Sequence, residues 1–343
     1  MKPPLARRRP ADGPRRARKN DARTVRRRRT FAAAGAALAL FAAAPRSGGA
    51  YGDDVGRFVE VWVRGASPAP DEPPRHERSR RIDLDRAAAA RAVERYDAQY
   101  DRVARYRGVP LRVLFDGLGD DAALDLAILH FANGMAIPLA FRDRETMLRL
   151  EPFIARAYAP EGRSPLAPRF PPIRRDGAVP DPRPTQFAGN KLVVAERWHP
   201  EVAPGTAAAF SPWTRADTLV GVELVASTPY YAQFEVAVEP AARRGLALYR
   251  GSCQFCHGAR HVGASFGWDF VDSPTVYDAQ SSAENLYHNI AYRPRNATEL
   301  GLLMPALGAI TEEDASALQR WLQAIATRPM PAYAPPARSE RRR

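Results

Sequence analysis

The sequence predicts two folded domains, an α+β domain with a mixed sheet over residues 51–239 and an all-α domain over residues 240–327. Segments rich in Val and aromatic residues, with an Asn-Gly pair between two apolar runs, predict strands in the first domain. Apolar residues at helical spacing behind a capping pattern predict helices in the second. With 343 residues, of which 45% are hydrophobic, the chain is long enough for both domains.

Residues 1–50 have the three parts of an export signal. An arginine-rich stretch is followed by an apolar run over residues 31–44 and by the small residues Gly48-Gly49-Ala50. This run of fourteen residues is shorter than the about 20 that span a bilayer, so we expect cleavage near Ala50 and no stable membrane span. Arg28-Arg29-Thr30-Phe31 resembles the twin-arginine motif, and both the general and the twin-arginine routes stay open. The leader predicts an exported, periplasmic bacterial protein.

The net charge of +13 is concentrated in this leader. Fourteen Lys or Arg residues against Asp12 and Asp21 give +12 for residues 1–50, which leaves +1 for residues 51–343. A protein that binds nucleic acid usually presents a basic face on its folded part. The composition of the folded part therefore gives no support for a nucleic-acid partner.

The first domain is expected to begin with a strand, a loop and a helix, in that order. Residues 56–65 are rich in Val and aromatic residues and predict a strand. Residues 66–81 contain four prolines and many charges, which predicts a loop. Over residues 83–107 alanine, arginine and glutamate dominate and three tyrosines recur at near-helical spacing, so we expect an amphipathic helix there.

A β-hairpin and two further strands complete the prediction for this domain. The apolar runs 124–131 and 135–141 are joined through Asn133-Gly134, and Asn-Gly between such runs is the strongest local hairpin signal. Residues 191–198 and 218–227 return to β-branched, alternating patterns. We expect these two strands to lie in the same sheet.

Residues 106–226 resemble the molybdopterin-binding fold of the sulfite-oxidase group, on the segments YRGVPLRVLF, FANGMAIPLAF, KLVVAERW and LVGVELV. In that group a cysteine thiolate coordinates the molybdenum. The two cysteines of this chain, Cys253 and Cys256, both lie outside the resembling segment. The expectation is a sulfite-oxidase-like fold without its metal and without molybdopterin.

Five residues of the second domain, Cys253-Gln254-Phe255-Cys256-His257, have the spacing of a covalent c-type haem attachment site. In a helix the two cysteines and His257 fall on one face, within an arc of about 60°. Each thiol can then add across a vinyl group at the porphyrin edge, while the imidazole binds the iron. The motif predicts one covalently attached haem c.

A Cys-x-x-Cys pair also fits a short-loop disulfide, a thioredoxin-like dithiol, or half of a zinc site that includes His257 and His261. A structural zinc site usually takes four ligands, whereas this chain has two cysteines. A thioredoxin-like dithiol normally follows a strand, which the residues before Cys253 do not resemble. The sequence favours haem over these three alternatives.

Two helices are expected to cross beside the motif. Residues 241–252 predict a helix that places Gly245 and Tyr249 on the face of Cys253, where a glycine permits a close crossing. Thr311-Glu312-Glu313-Asp314 has the pattern of a capping box and predicts the start of a terminal helix with one apolar stripe. That stripe consists of Leu318, Trp321, Leu322 and Ile325.

These features resemble class I monohaem cytochromes c: a glycine-and-aromatic helix leading into CxxCH, a methionine-proline pair, and a terminal helix with a central aromatic residue. The resemblance covers residues 240–327. It implies thioethers at Cys253 and Cys256, His257 as the proximal ligand of the haem iron, and Met304 of LLMPALG as the distal ligand.

The distal ligand has four competitors. These are His261, His288, Met330 and an open site that holds water. Pro305 restricts Met304 to an extended conformation, so its thioether is presented from a stiff loop. We therefore predict Met304.

The two resemblances together predict a periplasmic carrier of single electrons whose iron cycles between Fe(II) and Fe(III). The expected partners are redox proteins, a dehydrogenase or another cytochrome as donor and a downstream acceptor. The alternative is an oxidoreductase whose first domain oxidises a small oxyanion such as sulfite. Its candidate site would be His130, His199 and Arg142, but lone histidines beside apolar runs are more often packing residues, so a carrier is favoured over a catalyst. The Pro- and Arg-rich residues 328–343 predict a disordered tail.

Overall fold

The computed structural model describes most of both predicted domains. No helix among the described residues is long and apolar enough to cross a membrane. The predicted leader, residues 1–50, lies outside the described residues, and so does the predicted tail, residues 328–343, apart from Tyr333. The described residues are 57–66, 76–87, 89–97, 102–116, 121–160, 166, 170, 189–195, 212–214, 216, 218–235, 240–260, 262–267, 269–271, 287, 310–327 and 333.

This part of the chain forms nine strands and four α-helices. The strands are β1 (Phe58–Arg64), β2 (His76–Asp83), β3 (Arg91–Asp97), β4 (Arg102–Pro110), β5 (Leu126–Phe131), β6 (Ala136–Leu139), β7 (Phe153–Pro160), β8 (Lys191–Val193) and β9 (Leu219–Val225). The helices are α1 (Arg144–Leu150), α2 (Ser227–Ala232), α3 (Pro240–Leu248) and α4 (Glu312–Thr327). Short 3-10 turns lie at Leu84–Arg86, Leu111–Leu114 and Pro212–Thr214.

The strands form two sheets. The five-stranded sheet has the order β2-β1-β9-β5-β6, in which β1 and β9 are parallel and the other neighbours antiparallel. The four-stranded sheet has the order β3-β4-β7-β8 and is antiparallel throughout. The sheets adjoin near the start of β8, where the Leu219 N–H donates to the Asn190 carbonyl at 3.0 Å. A mixed α/β region therefore precedes the helices of the second predicted domain, as expected.

The expectation of a helix over residues 83–107 is wrong. A 3-10 turn occupies Leu84–Arg86, and the antiparallel strands β3 and β4 follow it. Tyr106, one of the three tyrosines at near-helical spacing, is fully buried in β4 between Val93 of β3 and Tyr158 of β7. Pairing with distant β7 outweighs the helix propensity of the alanine, arginine and glutamate residues.

Two further expectations for the first domain need correction. Residues 76–81, predicted as loop, belong to the edge strand β2, whose exposed charged side chains suit a sheet edge. The strands β8 and β9, predicted to share a sheet, lie in different sheets. Lys191, at the start of β8, forms an isolated bridge with Thr218, which directly precedes β9. The predicted strand within residues 56–65 is confirmed by β1.

The predicted hairpin is confirmed. Strands β5 and β6 pair antiparallel, with Ala127 opposite Leu139. Their turn has Gly134 at φ +88°, a left-handed conformation that glycine adopts without steric cost. The Asn133 side-chain oxygen accepts the Met135 N–H at 3.2 Å and so closes the turn.

One apolar core joins the five-stranded sheet to the helices of the second predicted domain. It runs from Val61 and Val222 in the sheet to Leu318 and Trp321 in α4. A smaller core, which includes Tyr106, lies on one face of the four-stranded sheet. The five-stranded sheet and the C-terminal helices therefore share their buried surface.

The predicted crossing of α3 and α4 is confirmed at Gly245. A Cβ atom at this position would lie 2.1 Å from the Ala317 carbonyl oxygen, so only glycine lets the helices approach this closely. The predicted cap of α4 is also present. The Asp314 N–H donates to Thr311 Oγ1 at 3.2 Å, and the Thr311 N–H donates to Asp314 Oδ2 at 3.0 Å.

Candidate functional site

The attachment motif lies on a turn that continues α3. The α-helix ends at Leu248 rather than at residue 252, and a π-helical turn spans Tyr249–Cys253. The Cys253 carbonyl then accepts the N–H groups of Cys256 at 3.1 Å and His257 at 2.9 Å. These two hydrogen bonds form a single turn that starts at Cys253. Cys256 and His257 therefore lie on the same turn as Cys253.

Neither cysteine forms a disulfide, and both side chains lie in the protein interior. Cys253 is 3% exposed and Cys256 is 9% exposed. Burial, together with the neighbouring Cys256 sulfur, raises the pKa of the Cys253 thiol to about 12. Cys253 is therefore a neutral thiol at physiological pH, since burial raises the pKa of a thiol.

The alternatives to haem find little support in this geometry. The motif follows a helix rather than the strand that precedes a thioredoxin-like dithiol. Among the described residues, no group of three or more His, Cys, Asp or Glu side chains is placed to hold a metal ion. His261, the other zinc ligand considered, lies outside those residues.

The donor set itself fits haem c. Cys253 and Cys256 would form the two thioethers, and His257 would supply the axial imidazole, all from one turn. A haem held in this way supplies one-electron chemistry between Fe(II) and Fe(III).

The His257 ring is held by two residues that follow the motif. The Phe270 ring stacks on it with centroids 4.5 Å apart and planes 7° apart. Gly267 lies against the same imidazole, where a Cβ atom would come within 2.4 Å of Cε1. Phe270 therefore stacks on one face of the imidazole, and the absence of a side chain at Gly267 leaves room for the ring in this orientation.

Backbone contacts hold this loop against the motif. The Gly267 N–H donates to the Cys256 carbonyl at 2.6 Å, and the Phe270 N–H donates to the Gly258 carbonyl at 2.9 Å. Asp269 Oδ1 accepts the N–H groups of Arg260 at 2.9 Å and Val271 at 2.8 Å. The described residues 267 and 269–270 thus lie against the attachment turn and the residues that directly follow it.

Tyr249 holds His257 from the helix side. Its hydroxyl donates to the His257 carbonyl at 3.1 Å. Burial raises the pKa of Tyr249 well above its ordinary value, so the hydroxyl remains a donor. The sequence placed Tyr249 on the correct face but did not indicate Gly267 or Phe270, because their loop departs from the cytochrome pattern.

The predicted distal ligand lies outside the described residues. Met304 and its competitors His261, His288 and Met330 are all in parts of the chain that the structure does not describe. Ligation by Met304 stays a prediction.

His130 and Arg142, two of the three residues of the first domain's candidate site, have different hydrogen-bond partners. His130 Nε2 lies 3.2 Å from Glu223 Oε2, whereas Arg142 donates to the backbone carbonyls of Leu124 and Asp121. His199 lies outside the described residues. Arg142 therefore supports the backbone that leads into β5, and His130 belongs to a different cluster.

That cluster is a buried ion pair on the five-stranded sheet. Arg64 binds the Glu223 carboxylate through two hydrogen bonds, Nε to Oε1 at 2.6 Å and a terminal nitrogen to Oε2 at 2.9 Å. Burial alone would raise the pKa of Glu223, but Arg64 and His130 outweigh it and hold the pKa below its ordinary value. Trp62 lies between two imidazoles, with ring centroids 4.8 Å from His76 and 5.2 Å from His130. Arg64 and Glu223 lie on separate strands, β1 and β9, which the sequence does not indicate as partners.

Comparison with known proteins gives one family match. The model of the family described as cytochrome C oxidase, cbb3-type, subunit III, matches residues 240–322. No curated protein and no solved structure matches the chain. The match leaves the sulfite-oxidase resemblance of the first domain unconfirmed, since it covers only the C-terminal part. Over residues 240–322, the match supports a c-type cytochrome domain and, with it, haem-based electron transfer.

Proposed function

We propose that the protein is a c-type cytochrome that carries single electrons through one haem attached at Cys253 and Cys256. The observation that carries this proposal is the turn that holds two buried thiols beside His257. Phe270 and Gly267 fix the His257 imidazole, as an axial ligand requires. The family match over the same segment supports the same chemistry.

The proposed axial ligands of the iron are His257 and Met304. A thioether is a soft ligand that favours Fe(II) and raises the reduction potential. A carrier ligated in this way belongs at the high-potential end of an electron-transfer chain. Its proposed donors are a dehydrogenase or another cytochrome.

The proposed location is the bacterial periplasm. An arginine-rich stretch, an apolar run and small residues in residues 1–50 support export and cleavage near Ala50. Amino-terminal sequencing of periplasmic protein should begin close to residue 51. Material that keeps Met1 would contradict this part of the proposal.

We propose that the first domain has a sulfite-oxidase-like fold and binds no molybdenum. Both cysteines of the chain lie in the attachment turn, so no thiolate remains for that metal. Elemental analysis of purified protein should find iron without molybdenum. A stoichiometric molybdenum content would favour instead an oxidoreductase that oxidises a small oxyanion.

Covalent haem is tested by expression of the full chain in a host with haem-attachment machinery. Denaturing electrophoresis followed by haem-peroxidase staining should show a band for the wild-type protein. Cys253→Ser and Cys256→Ser should each remove one thioether and shift the haemochrome spectrum of the pyridine complex. Ser252→Ala, in the adjacent position, is the matched control and should keep the wild-type spectrum. A wild-type protein without a stained band would refute the proposal.

A further inference from the structure

The β5–β6 hairpin of the first predicted domain contacts both segments that hold His257. The Ala136 N–H donates to the Phe255 carbonyl at 3.1 Å, inside the attachment motif. The Ser265 N–H donates to the Gly134 carbonyl at 2.8 Å, two residues before Gly267. One hairpin therefore links the attachment turn to the loop that packs against the imidazole.

The contact at Gly134 is a close approach of two backbones. A Cβ atom there would lie 3.0 Å from the Phe266 nitrogen and 3.0 Å from the Ser265 carbonyl carbon. The φ angle of +88° already places this residue where side chains are strained. The hairpin turn therefore packs this closely against the Ser265 and Phe266 backbone only with glycine at residue 134.

The contact at Ala136 covers a sheet edge. Strand β6 is the last strand of the five-stranded sheet, and its outward N–H is the group that Phe255 accepts. Met135 and Phe255 are each 1% exposed and Ala136 is 2% exposed. Such burial excludes water from this side of the attachment turn, and solvent exposure is one of the factors that set haem potentials.

We propose that the β5–β6 hairpin is a positioning element for the haem site, through which the first domain sets the reduction potential of the iron. The hairpin fixes the attachment turn and the loop of Gly267 relative to each other, so that the imidazole keeps its place and water is excluded from this side of the attachment turn. This role rests on the proposed electron-carrier function. In this role the first domain influences the redox chemistry of the iron without a catalytic site of its own.

Two substitutions test the proposal on the full-length haem protein. Gly134→Ala places a methyl group against the Ser265 and Phe266 backbone. Ala136→Pro removes the N–H that Phe255 accepts, in a strand that already contains Pro138. Both variants should bind haem covalently and show a lower reduction potential, because water that reaches the loosened turn stabilises Fe(III).

Gly189→Ala is the matched control. Gly189 has φ +106° and precedes β8 of the four-stranded sheet, so it carries the same backbone strain at another place. The reduction potential of the Gly189→Ala protein should equal that of the wild-type protein. Wild-type potentials in both hairpin variants, or an equal fall in the control, would overturn the proposal.

Amide hydrogen exchange of the wild-type haem protein decides the matter if the variants do not fold. The Ala136 and Ser265 amides should exchange as slowly as the amides in the middle of α4, because all of them would open only with the whole core. Fast exchange at Ala136 and Ser265 beside slow exchange in α4 would show that the hairpin is not held, and would refute the proposal. A wild-type protein without attached haem would refute the electron-carrier function, whereas haem with an insensitive potential would refute this inference alone.

Discussion

The ring of Tyr249 stacks on the ring of Trp321, with centroids 4.5 Å apart and planes 29° apart. Both side chains are fully buried, and each also makes a hydrogen bond away from the stack. Tyr249 donates to the His257 carbonyl at 3.1 Å, and Trp321 Nε1 donates to the Phe234 carbonyl at 3.1 Å. This one aromatic pair therefore connects the backbone of His257 to the terminal helix and to the segment that follows α2.

The crossing of α3 and α4 predicts an inverted effect of a common substitution. In an open helix Gly→Ala stabilises by about 1 kcal/mol. Gly245→Ala should instead lower the free energy of unfolding by about 1–3 kcal/mol, because the added methyl group would clash with the Ala317 backbone. Urea denaturation measures the change. Arg243→Ala, exposed on the same helix, is the control and should change stability little; a stabilised Gly245→Ala protein would contradict the crossing.

The contact between Gly267 and His257 predicts a spectroscopic effect. In Gly267→Ala the new Cβ atom would lie 2.4 Å from Cε1, so the imidazole must turn away from its place. The thioethers would keep the haem, but a displaced imidazole binds the iron less well. We expect more high-spin ferric iron, measured by resonance Raman and absorption spectroscopy. Ser265→Ala, exposed in the same loop, should keep the wild-type spin state, and a low-spin Gly267→Ala protein would exclude this role.

Ligation by Met304 predicts a weak red absorption band of the ferric protein. Met304→Ala should abolish this band, which reports the iron–thioether bond, and should lower the reduction potential because a soft ligand of Fe(II) is lost. His288→Ala and Met330→Ala serve as controls and should keep the band. Its survival in Met304→Ala would assign the distal position to another group.

The Arg64–Glu223 pair predicts a pH dependence of stability. Its carboxyl has a folded-state pKa below the ordinary value of 4.5, so the stability it contributes is present above pH 4.5 and is lost as the pH falls further. Glu223→Gln should cost about 3–5 kcal/mol at neutral pH, because buried Arg64 loses its charged partner. The difference in the free energy of unfolding between the wild-type protein and Glu223→Gln should become smaller in acid.

Urea denaturation at neutral pH and at about pH 3 measures this difference in the free energy of unfolding. Glu60→Gln, at an exposed position of β1, is the matched control and should cost little at either pH. A difference that stays constant or widens in acid would show that the Glu223 carboxylate is not held in its charged form by Arg64 and His130.

Features that depend on a few neighbouring residues could be predicted from the sequence. The Asn133-Gly134 turn, the capping box at Thr311 and the attachment motif each have a local pattern with a physical cause. Gly245 could be predicted as a crossing point because its spacing from Cys253 places it on the motif's face. The structure confirms the hairpin turn, the helix cap and the helix crossing. It also places Cys253, Cys256 and His257 on one turn, whereas haem attachment stays a prediction.

Features that depend on distant partners could not be predicted in the same way. Strands β3 and β4 have the composition of a helix, and only pairing with β7 makes them a sheet. Arg64 and Glu223 are 159 residues apart, and neither lies in a recognisable motif. Phe270 follows a loop without a known pattern, so its stacking on His257 needed the structure.

The burial of both thiols determines when the protein can mature. Under the proposed haem attachment, an enzyme must reach the sulfur atoms of Cys253 and Cys256, but both side chains are buried in the folded protein. The proposed thioether formation would therefore precede closure of the core, so that cofactor insertion would be a step of folding rather than a late modification. Under the proposed export, a chain that crossed the membrane already folded would offer no accessible thiol. The buried motif thus favours passage of an unfolded chain through the general route over the twin-arginine route.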